Sequence, residues 1–189
     1  MSTSPILKQG KNSEGEKWME AMRDASALIT GILRVTHPEL FHTGCEVMKI
    51  IRRKSDLEEL INQWENPFNA LSVIAHRSCP PHRDIKSRTP YYDILTSVGD
   101  FKTVDIAFTS LGATVPLHPG GVIAMCGHLV SHEAKECDGD RVCYAWYMRG
   151  SVHAHMEAFP ASWMTQEVYK DFIKDPEAQL NRPFNIFKF

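Results

Sequence analysis

The chain has 189 residues, of which 43% are hydrophobic and 23% are charged, and its formal net charge is −2. This length suits one domain with a sizeable core, and the charge excludes a protein that is basic overall, so any nucleic-acid-binding surface must be local. The sequence shows no signal peptide, no membrane-spanning apolar run and no regular cysteine spacing, which predicts an intracellular protein with free thiols, outside the membrane.

The first 66 residues are predicted to be helical. Three sequences of the form Ser/Thr-x-x-Glu begin at Ser13, Thr36 and Ser55, and each is a capping box that satisfies free N–H groups at a helix start. Apolar residues follow each box at helical spacing, which predicts three helices that pack on a core. These residues are Trp18, Met22, Ala25, Ile29 and Ile32, then Leu40, Phe41, Val47, Met48 and Ile51, then Leu57, Leu60, Ile61 and Trp64.

Asn66-Pro67 ends the helical part, and the hydrophobic period then becomes that of strands. FNALSVIAH is a short apolar run, TVDIAFTS and DRVCYAWYMR alternate, and ATVPLHPGGVIAMCGHLVSH predicts two strands around a Pro-Gly-Gly turn. Short strands without helices between them predict an antiparallel sandwich or barrel.

A last helix is predicted from Thr165 to Ile173, before the aromatic tail PFNIFKF. The predicted fold class is therefore α+β, as a single domain over residues 1–189. Its parts are a helical support (1–66), a β core (67–158), and a C-terminal helix with a tail (159–189).

The stretch CPPHRDIKSRTPYYD contains the triplet His82-Arg83-Asp84. In a strand, residues two apart share a face, so His82 and Asp84 can reach one metal ion while Arg83 points away. By itself this triplet is more typical of a charged, solvated loop. Non-haem Fe(II) oxygenases, however, hold iron with two histidines and one carboxylate. His132, at the end of an apolar strand, is the best candidate for the third ligand; the alternatives are His128 and, less favoured beside the Pro-Gly-Gly turn, His118.

Arg141 lies nine residues after His132 and opens the last alternating strand. A buried arginine needs an anionic partner, and a dicarboxylate bound by two parallel hydrogen bonds would provide one. The structural alternative is an internal ion pair with Asp138 or Asp140. The strand period of two places four further residues on the same face as Arg141: Cys143, Ala145, Tyr147 and Arg149.

HRDIKSRTPYYDILTSVGDF, followed by PGGVIAMCGHLVSHEAKECDGDRVCYAWYMRGSVH, resembles the fungal branch of the TET/JBP family. Members of that family are Fe(II)/2-oxoglutarate-dependent dioxygenases with a double-stranded β-helix (jelly-roll) fold, and they oxidise methylated bases in DNA. The resemblance covers Asn69 to His153. It implies that His82, Asp84 and His132 are the catalytic iron ligands and that the cofactors are Fe(II) and 2-oxoglutarate.

The resemblance also implies roles for residues around the metal. Arg141 would bind the distal carboxylate of 2-oxoglutarate, and Arg77 would lie near the co-substrate or the target base. The implied partner is methylated duplex DNA with its target base flipped out, in the nucleus, the base being 5-methylcytosine or N6-methyladenine. The residues that would line the base pocket are Ser87, Arg88, Asp93, Tyr147 and Arg149.

A cluster of basic residues near the first motif is predicted to contact phosphates, with a solvated loop as the alternative: His76, Arg77, His82, Arg83, Lys86 and Arg88.

Glu133 departs from the family, which more often has glycine there, and the short chain has no separate DNA-recognition domain, so duplex DNA is less secure than the oxygenase chemistry. RNA, a nucleoside or another small molecule remains an alternative substrate, and a non-catalytic nucleic-acid-binding relative is a further alternative. Two minor metal sites have unconvincing spacing: zinc at Cys126, His128, Cys137 and Cys143, and the pair His153 and His155.

Overall fold

The structure is a computed structural model that describes residues 13–54, 61 and 63–175. These residues form two compact units: Phe68–Trp163, which contains every described strand, and the described residues before 68 and after 163. The five described helices are α1 (Glu14–Ala21), α2 (Arg23–Thr36), α3 (Pro38–Lys54), α4 (Gly150–His155) and α5 (Gln166–Lys174). None of the described helices is long and apolar enough to cross a bilayer.

The helix starts test the predicted capping boxes. Ser13 caps α1, because its Oγ accepts a hydrogen bond from the Glu16 N–H at 3.2 Å. Thr36 does not cap α3; it is the last residue of α2, and its hydroxyl donates to the Ile32 carbonyl at 2.8 Å. His37 takes the capping role, its Nδ1 accepting from the Leu40 N–H at 3.2 Å, because Pro38 disfavours a helical conformation at the preceding residue. The third box, over 55–58, lies outside the described residues.

The second predicted apolar stripe is largely buried, the first is mostly half-buried and divided between α1 and α2, and Leu57 and Leu60 of the third lie outside the described residues. Ile29 is 2% exposed, and Leu40 and Val47 are 0% exposed. In α1, however, Met19 is buried rather than Trp18. The C-terminal helix is confirmed: Thr165 caps α5, accepting from the Val168 N–H at 3.3 Å.

In the part of the chain that the structure describes, eight strands form two antiparallel four-stranded sheets, which confirms the predicted α+β jelly-roll class. One sheet has the order β1-β8-β3-β6, and the other has the order β2-β7-β4-β5. The strands are β1 (Ala70–Ala75), β2 (Cys79–His82), β3 (Asp93–Phe101), β4 (Val104–Phe108), β5 (Ala113–Leu117), β6 (Val122–Met125), β7 (His132–Ala134) and β8 (Gly139–Tyr147).

Strand β8 occupies the interior of its sheet, between β1 and β3. Its register pairs Ala70 with Tyr147 on one side and Gly99 with Arg141 on the other. The predicted face is confirmed, because Arg141, Cys143, Ala145, Tyr147 and Arg149 all line one cavity. On the opposite face Trp146 is 1% exposed, and its ring lies 6.1 Å from that of Phe68. One face of β8 therefore packs in the core, and the face that carries Arg141 lines the cavity.

Candidate metal centre

The pairing of β2 with β7 brings the two candidate histidine ligands together. His82 lies opposite His132 in the antiparallel register, and their ring centroids are 4.4 Å apart. Asp84 completes the group: its Oδ1 is 3.8 Å from His82 Nε2 and its Oδ2 is 3.7 Å from His132 Nε2. Within the described residues, these three form the one group of ligand atoms close enough together to hold a metal ion.

The backbone orients both imidazole rings. His82 Nδ1 donates to the Pro80 carbonyl at 2.8 Å, and His132 Nδ1 donates to the Val130 carbonyl at 2.9 Å. A carbonyl only accepts, so Nδ1 carries a proton in each ring, and Nε2 is the atom that faces Asp84. Such a hydrogen bond from the far nitrogen fixes the tautomer and orientation of metal-binding histidines. The donor set therefore fits a divalent iron ion.

Asp84 reaches the group by a route other than the predicted strand alternation. Strand β2 ends at His82, and Asp84 begins a turn, its N–H donating to the Gly127 carbonyl at 2.9 Å. Gly127 is buried, and a Cβ at that position would collide with the carboxylates of Asp84 and Asp93. The carboxylate is thus positioned by a close approach of backbone that requires glycine.

The position of His132 also differs from the prediction. Strand β6 ends at Met125, and His132 opens the separate strand β7 instead of ending the apolar strand. The rival His118 donates from Nδ1 to the Lys102 carbonyl at 3.0 Å, and His128 has a buried Nδ1. Neither belongs to the metal-binding group of the described residues, nor do Cys126, Cys137, Cys143, His153 and His155.

Arg141 is buried as predicted, with 3% of its surface exposed. Its guanidinium donates to Ser97 Oγ at 3.3 Å and to the Arg77 carbonyl at 2.6 Å. The alternative ion pair is not formed: Asp138 and Asp140 are exposed, and Asp140 lies 3.7 Å from His76 instead. Among the described residues, no carboxylate pairs with Arg141, so its charge is left for an external anion.

One cavity of about 350 Å³ includes Arg141 and the three ligand residues in its walls. Of the residues implied by the family resemblance, Arg77, Ser87, Asp93, Tyr147 and Arg149 also line this cavity. Arg88 does not; its guanidinium lies over the Tyr91 ring, 6.0 Å from the centroid. The structure therefore brings together all the predicted site residues except Arg88.

Two polar pairs also line the cavity, Ser87 with Asp93 and Tyr147 with Arg149. Ser87 Oγ donates to Asp93, 3.0 Å from each carboxylate oxygen, and Asp93 is only 3% exposed. Burial raises the pKa of Asp93 to about 7. Hydrogen bonds from Ser87 and Gly127 act to lower this pKa, but their effect is smaller than that of burial. Burial also acts to raise the pKa of Tyr147, but hydrogen bonds from Ser72 (3.4 Å) and Arg149 (3.3 Å), with the arginine charge, leave it lowered.

Several supporting residues were not predicted from the sequence. Gly127 could have been suspected from the MCGH segment, since a glycine within an apolar run often marks a close backbone approach. Ser97 lies on β3, a strand that was not predicted. Tyr91 and His153 form a buried hydrogen bond at 3.2 Å between segments that are 62 residues apart, for which the sequence carries no local signal.

A jelly roll that places two histidines and one carboxylate in one cavity has the ligand set of mononuclear non-haem iron oxygenases. The Tet_JBP family, described as the oxygenase domain of the 2OGFeDO superfamily, matches residues 5–150. The chain therefore belongs to this family of Fe(II)/2-oxoglutarate-dependent dioxygenases, and the superfamily uses both cofactors. In sequence, no curated protein matches the chain.

Among solved structures, the fold resembles that of NgTET1 in complex with 5mC DNA. The TM-score is 0.58 at 14% identity, over 92% of this chain and 63% of NgTET1, so the chain spans less than two thirds of that protein. A protein from Neisseria meningitidis (13% identity, TM-score 0.32) and an RmlC-like cupin from Desulfovibrio desulfuricans (12%, 0.30) each match 41% of this chain and 71% of their own. The likeness to NgTET1 confirms the fold.

Proposed function

We propose that this protein is an Fe(II)/2-oxoglutarate-dependent dioxygenase that oxidises the methyl group of a methylated DNA base, 5-methylcytosine or N6-methyladenine. The observation that carries the proposal is one cavity that contains both the His82–Asp84–His132 group and the buried Arg141, which pairs with no carboxylate of the described residues. Membership of the Tet_JBP family supports the chemistry. The likeness to NgTET1, which was solved with 5mC DNA, supports a methylated DNA base as the substrate. We also propose that the chain belongs to the fungal branch of the family.

His82, Asp84 and His132 would hold the iron through two Nε2 atoms and a carboxylate oxygen. Bound Fe(II) and 2-oxoglutarate would supply the oxidising power, by coupling oxygen-dependent decarboxylation of 2-oxoglutarate to hydroxylation of the methyl group. The chain holds both rings by hydrogen bonds from Nδ1 to backbone carbonyls, which turns each Nε2 toward Asp84. A metal ion would therefore meet two Nε2 atoms and a carboxylate that already lie close together.

Arg141 would bind the distal carboxylate of 2-oxoglutarate. Ser97 Oγ and the Arg77 carbonyl hold its guanidinium, so little side-chain freedom is lost when an anion binds. A charge that is 3% exposed and has no described carboxylate partner is destabilising until an anion compensates it. The neighbouring Cys143 thiol does not compete for the guanidinium as an anion, because burial raises its pKa.

The substrate side has the surfaces that a base requires. The Arg149 guanidinium lies 5.7 Å from the Tyr147 ring centroid, and such planar groups stack on bases. Asp93, held by Ser87, is a buried carboxyl group that can accept a hydrogen bond from the exocyclic amine carried by cytosine or adenine. Both candidate bases therefore suit the pocket.

A stacked base cannot enter this cavity, so a duplex substrate must flip its target nucleotide at a cost of a few kcal/mol. Exposed cations near the site would contact the phosphates and favour DNA despite the slightly negative chain: Arg77, Arg83, Lys86, Arg88 and Arg149. A nuclear location is part of the same proposal, since it follows from a DNA substrate.

The test is to load the protein with Fe(II) without oxygen, and then to add 2-oxoglutarate, oxygen and DNA that contains either methylated base. We expect succinate and oxidised base by mass spectrometry. Asp84→Ala should abolish both products, because a ligand is lost, and Asp105→Ala, which removes an exposed carboxylate on β4, is the matched control.

The outcomes separate the alternatives. Succinate without oxidised DNA would move the substrate to RNA, a nucleoside or another small molecule, which are tested in the same assay. DNA binding without succinate under any condition would identify a non-catalytic nucleic-acid-binding relative and would overturn the proposed enzyme.

A further inference from the structure

Ile85 is 77% exposed, the highest value among the large hydrophobic side chains of the described residues. Single exposed apolar residues are normal on protein surfaces, so exposure alone indicates nothing. Its position does: Ile85 follows the candidate iron ligand Asp84 in the sequence and lines the same cavity. A side chain that both lines the cavity and is largely exposed lies at its mouth, and residues 83–87 are called the mouth turn here.

The mouth turn is held firmly at both ends. The Asp84 N–H donates to the Gly127 carbonyl at 2.9 Å, and the Ser87 N–H donates to the Asp84 carbonyl at 2.8 Å. Ser87 also pairs with Arg149 as an isolated β-bridge, and its hydroxyl is bonded to Asp93. A β-branched side chain has few rotamers, so Ile85 is presented with little freedom left to lose. Its exposure is a built feature of an ordered turn.

The surroundings of Ile85 select one class of partner. Arg83 and Lys86 flank it, and both are exposed, so the mouth turn offers an apolar group between two cations. A protein or lipid partner would bury an apolar patch, whereas here a single apolar residue stands among positive charges. Duplex DNA presents the complementary pattern, with phosphates on either side of an apolar base stack.

We propose that Ile85 is a wedge that enters the base stack of duplex DNA at the place left by the flipped target base. The inference rests on the proposed function, since it requires a flipped base in the cavity beside Asp84. Inserted apolar side chains stabilise unstacked steps in other DNA-bending proteins. The mouth turn would thus couple the two tasks: Asp84 would hold the metal that acts on the flipped base, and the next residue would fill the gap behind it.

The test compares fully paired duplex with single-stranded DNA of the same sequence, each with one methylated base, using the Fe(II)-loaded full chain. For Ile85→Ala we expect the ratio of duplex to single-strand kcat/KM to fall at least tenfold, while Ile85→Met, which keeps an apolar side chain, retains most of it. Leu111→Ala removes another exposed side chain (67%) and should leave the ratio unchanged. An unchanged ratio for Ile85→Ala, or a wild type that oxidises single strands only, would overturn the wedge.

A binding measurement separates the wedge from the proposed function. With 2-aminopurine next to the methylated base, and without oxygen, wild-type protein should raise the fluorescence of the duplex and Ile85→Ala should not. If wild-type protein but not Ile85→Ala raises the fluorescence, and neither oxidises a DNA base, the oxidation is wrong and the wedge stands. If fluorescence rises equally with both proteins, the wedge is wrong whatever the enzyme oxidises.

Discussion

Two arginines that line the cavity on the β8 side, Arg141 and Arg149, differ in exposure and in what holds them. Arg141 is 3% exposed and is fixed by Ser97 Oγ and a backbone carbonyl. Arg149, just after the strand, is exposed and contacts the Tyr147 ring and hydroxyl. A buried, pre-positioned guanidinium suits one small anion that is the same in every turnover, whereas an exposed one can adjust to a large substrate. In the proposed function, this contrast corresponds to co-substrate binding by Arg141 and nucleic-acid binding by Arg149.

Replacing Arg141 should produce the largest effect on this contrast. Arg141→Ala removes a charge-assisted pair of hydrogen bonds worth about 1.5–3 kcal/mol, so the 2-oxoglutarate concentration needed for half-maximal rate should rise about ten- to a hundredfold. Arg141→Lys keeps the charge but loses the planar guanidinium, so its 2-oxoglutarate requirement should lie between those of the wild type and Arg141→Ala. An unchanged 2-oxoglutarate requirement, measured by succinate release, would mean that Arg141 is only structural.

The second prediction concerns the buried support beneath the exposed arginine. His153, in α4 directly after Arg149, is 0% exposed and hydrogen-bonded to Tyr91, and burial with the charge of Arg88 lowers its pKa to about 4. The unfolded chain takes up this proton at its ordinary pKa of about 6.5. The contribution of neutral His153 to the free energy of unfolding is therefore complete above pH 6.5 and is lost as the pH falls toward 4. At pH 5 the loss is about 2 kcal/mol.

Urea unfolding at pH 8 and pH 5 measures this loss, with His153→Asn as the comparison. Between pH 8 and pH 5, the change in the free energy of unfolding should be about 2 kcal/mol more favourable to the folded state in the variant than in the wild type. An NMR titration of wild-type protein gives a second readout, and a His153 ring that titrates near pH 6.5 would contradict the prediction.

A smaller change is expected from Gly127→Ala. The added Cβ meets the ends of two flexible carboxylates, those of Asp84 and Asp93, so the fold should survive while the metal-binding carboxylate moves. Iron affinity should fall about tenfold, as for other changes around metal ligands. Gly31→Ala is the control, because a Cβ there meets nothing within 4 Å. Equal Fe(II) binding by the two variants, measured by titration, would show that the close approach at Gly127 has no role.

The smallest effect should come from Arg149→Ala. An exposed contact to DNA is screened by salt, so we expect the KM for DNA to rise only a few-fold and the salt dependence of binding to weaken by about one counterion. The 2-oxoglutarate requirement should not change, in contrast to Arg141→Ala. A shift in the 2-oxoglutarate requirement as large as that for Arg141 would erase the distinction between the two arginines.

The sequence predicted the strand face of β8 because period-two alternation is a local property of extended chain. It also predicted the inward position of Arg141, which the structure confirms. It missed β3, whose residues do not alternate cleanly, although this nine-residue strand supplies Ser97 and Asp93. Alternation was also the wrong reason for placing Asp84 beside His82, since Asp84 lies beyond the end of its strand.

Residue types and spacing, which a sequence contains by itself, determined the class of chemistry: two histidines, a carboxylate and a distant arginine. Local periodicity predicted α3, α5 and five of the eight described strands, but it missed the short helix α4 and the break between α1 and α2. Only the tertiary structure decided that His82 faces His132 across two strands, that Gly127 leaves room for Asp84, and that Arg141 pairs with no carboxylate of the described residues. These depend on strand register and backbone approach between segments some fifty residues apart, and no local preference of the chain encodes them.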